Sequence, residues 1–269
     1  MWSDWGGMFR GIKPAILKKL IISRKILRAE RRAKNILIHL SGGHTLIIHL
    51  KMTGHLMYGK WQLKNNKWTP EAKSGPLHDP FNRFIHILWT LSGGGQLAFA
   101  DVRKFGKVEY TTTKETHKHT RLSRLGPEPL EISPRHFAEA LLKKPTGKIK
   151  TVLMNQEIIS GIGNIYSDEI LWSAGIHPET QIKNIPKKKL GSLKGITQKI
   201  LLHSIKTGGD SKSDYRNIYG EKGGFQNEHK AYRETGKPCS KGDGGVIKRI
   251  VIGGRSTHFC PKHQILATI

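Results

Sequence analysis

Apolar and polar residues change rhythm along this 269-residue chain. Within residues 10–31, IKPAILKKLI sets apolar side chains at helical spacing with lysines between them, which predicts a helix first. NILIHLSGGHTLIIHLKMTGHLMY then alternates, predicting strands around the turn Ser41-Gly-Gly-His44. RFIHILWTLSGGGQLAFADV repeats that arrangement around Ser92-Gly-Gly-Gly95, and KVEYTTT adds a strand. Residues 30–113 read as an antiparallel β-sandwich or barrel, with the polar stretch 60–82 as a surface loop.

Helical patterns take over after Gly126-Pro-Glu-Pro129. Ser133-Pro134 offers an N-cap followed by proline at the first helical position, ahead of RHFAEALLKK. KIKTVLMNQ and NIYSDEILWSAG predict two more helices, and KKKLGSLKGITQKILLHSIKTGG a longer one. Residues 206–230 are rich in glycine and polar groups and predict a mobile loop. IKRIVIGGRSTHF closes the chain with a strand-turn-strand pattern beside both cysteines. The class is α+β, in three parts: a sandwich over 1–118, a helical part with its loop over 119–230, and a β-hairpin module over 231–269.

Charge narrows the partners. Lys and Arg number 46 against 20 Asp and Glu, a formal +26. Such a surplus favours a polyanion and makes its binding salt-sensitive. No stretch reaches the apolar length of a membrane span, and MWSDWGGMFRGIKPAILKKL lacks the core of a signal peptide. A cytoplasmic chain is the expectation. With two cysteines, Cys239 and Cys260, a disulfide is not expected in that compartment, and a cysteine-poor metal site stays open.

SGIGNIYSDE, residues 160–169, raises the first question of chemistry. Gly161 and Gly163 permit backbone that other residues resist, and Asn164 then opens a helix whose unpaired N–H groups suit a phosphate. Asp168 and Glu169 are expected in its first turn, where acids suit the helix dipole. A phosphate-gripping turn and a plain helical hairpin both satisfy these residues.

LMNQEIISGIGNIYSDEILWSAGIHPE resembles the helix-two-turn-helix segment of formamidopyrimidine-DNA glycosylases and endonuclease VIII. ERRAKNILIHL, LIIHLKMTGHL and FADVRKFG resemble that family's β-sandwich, and GGRSTHFCPKHQ its β-hairpin zinc finger. The motifs follow the family's order over nearly the whole chain from about residue 10. The resemblance implies a base-excision repair glycosylase with AP lyase activity, working as a monomer associated with the nucleoid. Its substrate would be oxidised purines, 8-oxoguanine and formamidopyrimidine, in damaged double-stranded DNA.

The resemblance also assigns residues. Lys34 in RRAK, Asn164, and Arg255 in GGRST match the DNA phosphate ligands. From the residues alone, Lys34 reads equally as part of a solvated basic run. Met52, Arg103 and Phe105 match the three side chains that fill the gap left by an extruded nucleotide. Without the resemblance, Met52 and Phe105 read as core residues. The stretch SDYRNIYGEKGGFQNE matches the segment that closes over the flipped base, with no recognition residue named in it.

The pattern breaks at two places. The family starts Pro-Glu-Leu-Pro-Glu; the proline amine attacks the sugar and the glutamate moves protons. This sequence starts MWSDWGGMFRG and contains no such motif, so no catalytic residue is assigned. Two expectations compete: an N-terminally truncated chain whose true start lies upstream, or a catalytically inactive damaged-DNA-binding protein of the same fold. The finger departs as well. The family has C-x2-C-x16-C-x2-C, whereas this chain has Cys239-x3-Asp243-x16-Cys260-x2-His263. Thiolate, carboxylate and imidazole all bind zinc, so an atypical zinc site and a finger held by packing alone both remain.

Overall fold

In the computed structural model, which describes residues 1–211 and 214–267, the chain divides into two compact units. One comprises Met1–Leu122 with Thr207–Gln226, the other Ser123–Lys206 with Asn227–Ile269.

The first unit is a β-sandwich. Its opening segments are β1 (Trp2–Ser3), β2 (Phe9–Arg10) and the helix α1 (Pro14–Ile21). Strands β3 (Ile26–Arg32), β4 (Asn35–Leu40), β5 (His44–His49) and β6 (Gly54–Gly59) follow. Next come β7 (Trp61–Lys64), β8 (Lys67–Pro70), β9 (Ile85–Thr90), β10 (Gln96–Asp101) and β11 (Lys107–Thr112). One sheet runs β1-β9-β10-β6 and the other β2-β11-β5-β4-β3. The near-continuous apolar runs of β4 and β10 are explained by burial on both faces. Ile38, Leu40, Leu46, Ile48, Ile87, Trp89 and Phe99 meet between the sheets, where Met8, just before β2, and Leu17 of α1 join them. On the far face of the first sheet, Met57, Leu88, Ala98 and Ala100 pack under Trp61 and Trp68. Burying Phe99 completely is worth about 3 kcal/mol.

Two expectations change here. The helix expected within residues 10–31 stops at Ile21, and Ile26–Arg32 is instead an edge strand with exposed arginines, a composition that guards a sheet edge. The stretch 60–82 is not merely a polar loop. Asn65 and Asn66 both take positive φ and close the β7–β8 hairpin, which turns Trp61 onto the sheet.

The glycine-rich segment 214–221 is tied to the sandwich. Arg216, buried, donates to both carboxylate oxygens of Asp79 at 2.9 Å. Tyr58 N donates to Ile218 O at 2.7 Å, and Asn82 Nδ2 to Gly220 O at 3.1 Å. Residues 212–213, at the start of the expected lesion-closing stretch, lie outside the described residues.

The second unit is helical. After α2 (Thr120–Ser123), a short turn at the unit boundary, come α3 (Pro134–Leu142), α4 (Ile149–Met154), α5 (Asn164–Ala174) and α6 (Lys187–Lys206). Ser133 caps α3 as its hydroxyl accepts from His136 N at 3.2 Å, with Pro134 next in line. Phe137, Leu141, Ile149, Leu153, Ile170 and Leu193 bring the four larger helices onto one apolar core. Gly175, in the left-handed region, ends α5. The hairpin of β12 (Lys248–Ile252) and β13 (Arg255–Phe259) turns on Gly253 and Gly254, both at positive φ.

Candidate nucleic-acid interface and metal centre

In the sandwich, two loops come together. The Asp101 carboxylate is buried and accepts from Thr53 Oγ1, from Arg103 N at 3.2 Å and from Gly106 N at 2.6 Å. One acid therefore fixes the turn after β10 and the turn before β6. Glycine is required at Gly54, where a Cβ would lie 2.5 Å from Leu50 O. Three side chains stand out from these loops in mutual contact. Arg103 Nη1 lies 3.5 Å from Met52 Sδ, and its guanidinium carbon 4.6 Å from the centre of the Phe105 ring. Met52 is 60 % exposed and Phe105 44 %. Neither is a core residue.

Lys34 is exposed and lies in the two-residue turn between β3 and β4, with Ala33 at positive φ, rather than on a strand. His49 is paired opposite both Asn35 and Lys107. Burial, with Lys51, Arg121 and Lys34 as neighbouring cations, pulls its pKa down to about 4. Lys51 and Lys107 are lowered too, by burial first and then by surrounding arginines. This end of the sheet is a concentration of cations suited to an anion. Sequence reading missed His49, whose only signal was its place beside Leu50 and Met52 in the strand-end motif.

In the second unit, Gln156 holds the SGIG turn. Its amide nitrogen donates to Met154 O and Ile162 O, and its oxygen accepts from Gly161 N, all at 2.9 Å. Gly161 needs its positive φ there. Asn164, first in α5, donates through Nδ2 to Ser256 O at 2.9 Å, which leaves its second amide hydrogen for another acceptor. A cleft of about 510 Å³ is lined by Asn164, Arg233, Arg249, Arg255 and Ser256 among others. Two of the expected phosphate ligands, Asn164 and Arg255, thus share one basic cleft.

Asp168 and Glu169 overturn an expectation. They lie in the second turn of α5, buried, and serve packing rather than the helix dipole. Asp168 accepts from Lys150 Nζ at 2.6 Å, from His258 N at 3.0 Å and from His258 Nδ1 at 2.9 Å, and so ties α4 and β13 to α5. Burial lowers the pKa of Lys150 while Asp168 opposes the shift. Glu169 accepts three backbone N–H groups, from Lys230, Ala231 and Tyr232.

The four expected metal ligands also meet. The donor atoms of Cys239, Asp243, Cys260 and His263 all lie within 4.8 Å of one another. His263 Nδ1 is 2.6 Å from Asp243 Oδ2 and 3.6 Å from Cys239 Sγ, and its Nε2 is 3.1 Å from Trp172 O. Gly245 N–H, with His263 and Cys260 behind it, holds the Asp243 carboxyl at about 2. Burial raises the Cys260 thiol. Two sulfurs, a carboxylate and an imidazole at this spacing could hold a metal ion.

Residues 5–108 match the formamidopyrimidine-DNA glycosylase N-terminal domain, and residues 125–216 the formamidopyrimidine-DNA glycosylase H2TH domain. The formamidopyrimidine-DNA glycosylase of Solibacter usitatus is 38% identical over 257 residues, 96% of this chain and 88% of the relative. This chain belongs to the formamidopyrimidine-DNA glycosylase family. Solved structures of the Lactococcus lactis enzyme agree, one a complex with DNA containing an abasic site and one a mutant bound to DNA containing Fapy-dG. Each is 33% identical, with TM-score 0.83, covering 98% of this chain and 90% of the other. Among the described residues, no helix of this family member is long and apolar enough to cross a membrane.

Proposed function

We propose that this protein is a DNA glycosylase that removes oxidised bases from damaged duplex DNA in base-excision repair, with the AP lyase step of its family. The observation that carries the reading is the exposed Met52–Arg103–Phe105 cluster, held on two loops by a single buried acid. An enzyme that works on a base must take it out of the stack, and the gap needs a substitute. Met52 and Phe105 supply apolar wedges and Arg103 a donor for the orphaned partner base. Lys34, Asn164 and Arg255 supply phosphate contacts that position the strand without reading its sequence. Oxidised purines are the proposed lesion class, since one relative is bound to DNA containing Fapy-dG.

The metal is proposed to be zinc, held by Cys239, Asp243, Cys260 and His263. With four protein ligands such a centre has no open position and acts in structure. It would brace the hairpin that carries Arg255.

No residue of this sequence is assigned the covalent step, because the family's Pro-Glu-Leu-Pro-Glu motif is not in it. The test uses the protein together with any in-frame residues upstream of Met1. It is incubated with a duplex bearing 8-oxoguanine opposite cytosine, and strand scission and borohydride-trapped covalent complex are measured. Both are expected. Tight lesion binding with neither product would establish instead a damaged-DNA-binding protein that does not cut. Equal affinity for lesion and intact duplex would overturn both readings.

A further inference from the structure

Trp172 touches the metal centre through its backbone and through its ring. Its backbone carbonyl lies 3.1 Å from His263 Nε2. Its indole N–H donates to Cys239 Sγ at 3.4 Å. The ring also stacks edge-on against His263, centres 5.7 Å apart, and Lys241 Nζ sits 5.1 Å from the ring centre. None of these groups is a metal donor except His263 and Cys239 themselves.

We propose that Trp172 is the positioning residue of the metal centre and links it to α5; this rests on the zinc reading above. A carbonyl can only accept, so the Nε2 facing it carries a hydrogen. That leaves Nδ1 as the ligating nitrogen, and Nδ1 is the atom that faces Asp243 and Cys239. The indole hydrogen bond does the same for sulfur. It fixes the direction of Cys239 and withdraws charge from a thiolate that would otherwise have only the metal to satisfy it. Both contacts come from one residue of the helix that begins at Asn164 and holds His258 through Asp168. The ligands Cys239 and His263, far apart in sequence, are thereby set against a common rigid element.

The experiment compares the wild-type chain with Trp172→Phe. A second variant carries β-(3-benzothienyl)alanine at position 172, which keeps the ring shape and lacks the N–H. Zinc affinity is measured by competition with a chromophoric chelator, and the cobalt-loaded proteins are examined by absorption. Both variants should bind zinc about 10- to 100-fold more weakly, the scale of losing a partner behind a metal ligand. The sulfur-to-cobalt charge-transfer band should move to lower energy, because a thiolate stripped of its hydrogen bond is a stronger donor. Circular dichroism at saturating zinc checks the fold, and the benzothienyl variant isolates the N–H if Trp172→Phe packs badly. Affinity within about twofold of wild type and an unmoved band in the benzothienyl variant would overturn the proposal. Failure of the wild-type chain itself to bind zinc or cobalt would instead remove the zinc reading on which it rests.

Discussion

Lys150 Nζ lies 2.6 Å from Asp168 Oδ1, and neither side chain is exposed. A pair this deeply buried is costly to break from one side, because the survivor is left charged and without its partner. Asp168→Asn is expected to destabilise the helical unit by about 3–5 kcal/mol, and Lys150→Met by a similar amount. The double variant should cost much less than the sum. Urea unfolding monitored by circular dichroism checks this; additive losses would mean that the two side chains are not coupled.

The clamp at Asp101 predicts a different outcome. Asp101→Asn sets an NH2 group against the N–H of Gly106 or the hydroxyl of Thr53. It should cost about 1–3 kcal/mol in stability. Beyond that, binding to a duplex with a tetrahydrofuran abasic analogue should weaken, since the loops of Met52 and Phe105 lose their common anchor. Unchanged affinity in the folded variant would show that the clamp does not set the cluster.

Phe105 is exposed, so Phe105→Ala should change stability by less than about 0.5 kcal/mol. Abasic-duplex affinity should fall by about 1–3 kcal/mol, the scale of one ring stacked on a base. Fluorescence anisotropy and thermal unfolding give the two numbers. A large loss of stability with no loss of affinity would return Phe105 to the core.

Phosphate contacts have a signature in salt. Lys34→Ala and Arg255→Ala should each reduce the slope of log affinity against log salt concentration by about 0.9, for lesion and intact duplex alike. A slope equal to wild type would remove the residue concerned from the phosphate track.

His49 ties stability to pH. Its folded pKa of about 4 lies below the ordinary 6.5, so the unfolded chain takes up the proton first. The neutral ring's contribution is complete above about pH 6.5 and is lost as the pH falls from there toward 4. His49→Gln should therefore flatten the fall in stability between pH 7.5 and 5 relative to wild type. Parallel pH profiles for the two proteins would mean that His49 titrates normally.

Local sequence determined the elements whose chemistry is local. The alternation of NILIHL and HTLIIH, the Ser133 cap and the Gly253-Gly254 turn each formed as periodicity and backbone stereochemistry require. The spacing of Cys239, Asp243, Cys260 and His263 likewise named four donors that converge. Tertiary structure decided what depends on a distant partner. ILRAERR became a strand because β4 offered it an edge, overriding the helical periodicity before it. Asp168 turned inward because Lys150 and His258 wait there, and no propensity within SDE encodes that. Met52 and Phe105 escaped the core because Asp101 holds their loops outward, and Trp172 reaches Cys239 and His263 only through the packing of α5. Hydrophobic period and turn stereochemistry act over a few residues, whereas the partner of a buried charge or hydrogen bond is supplied by the fold.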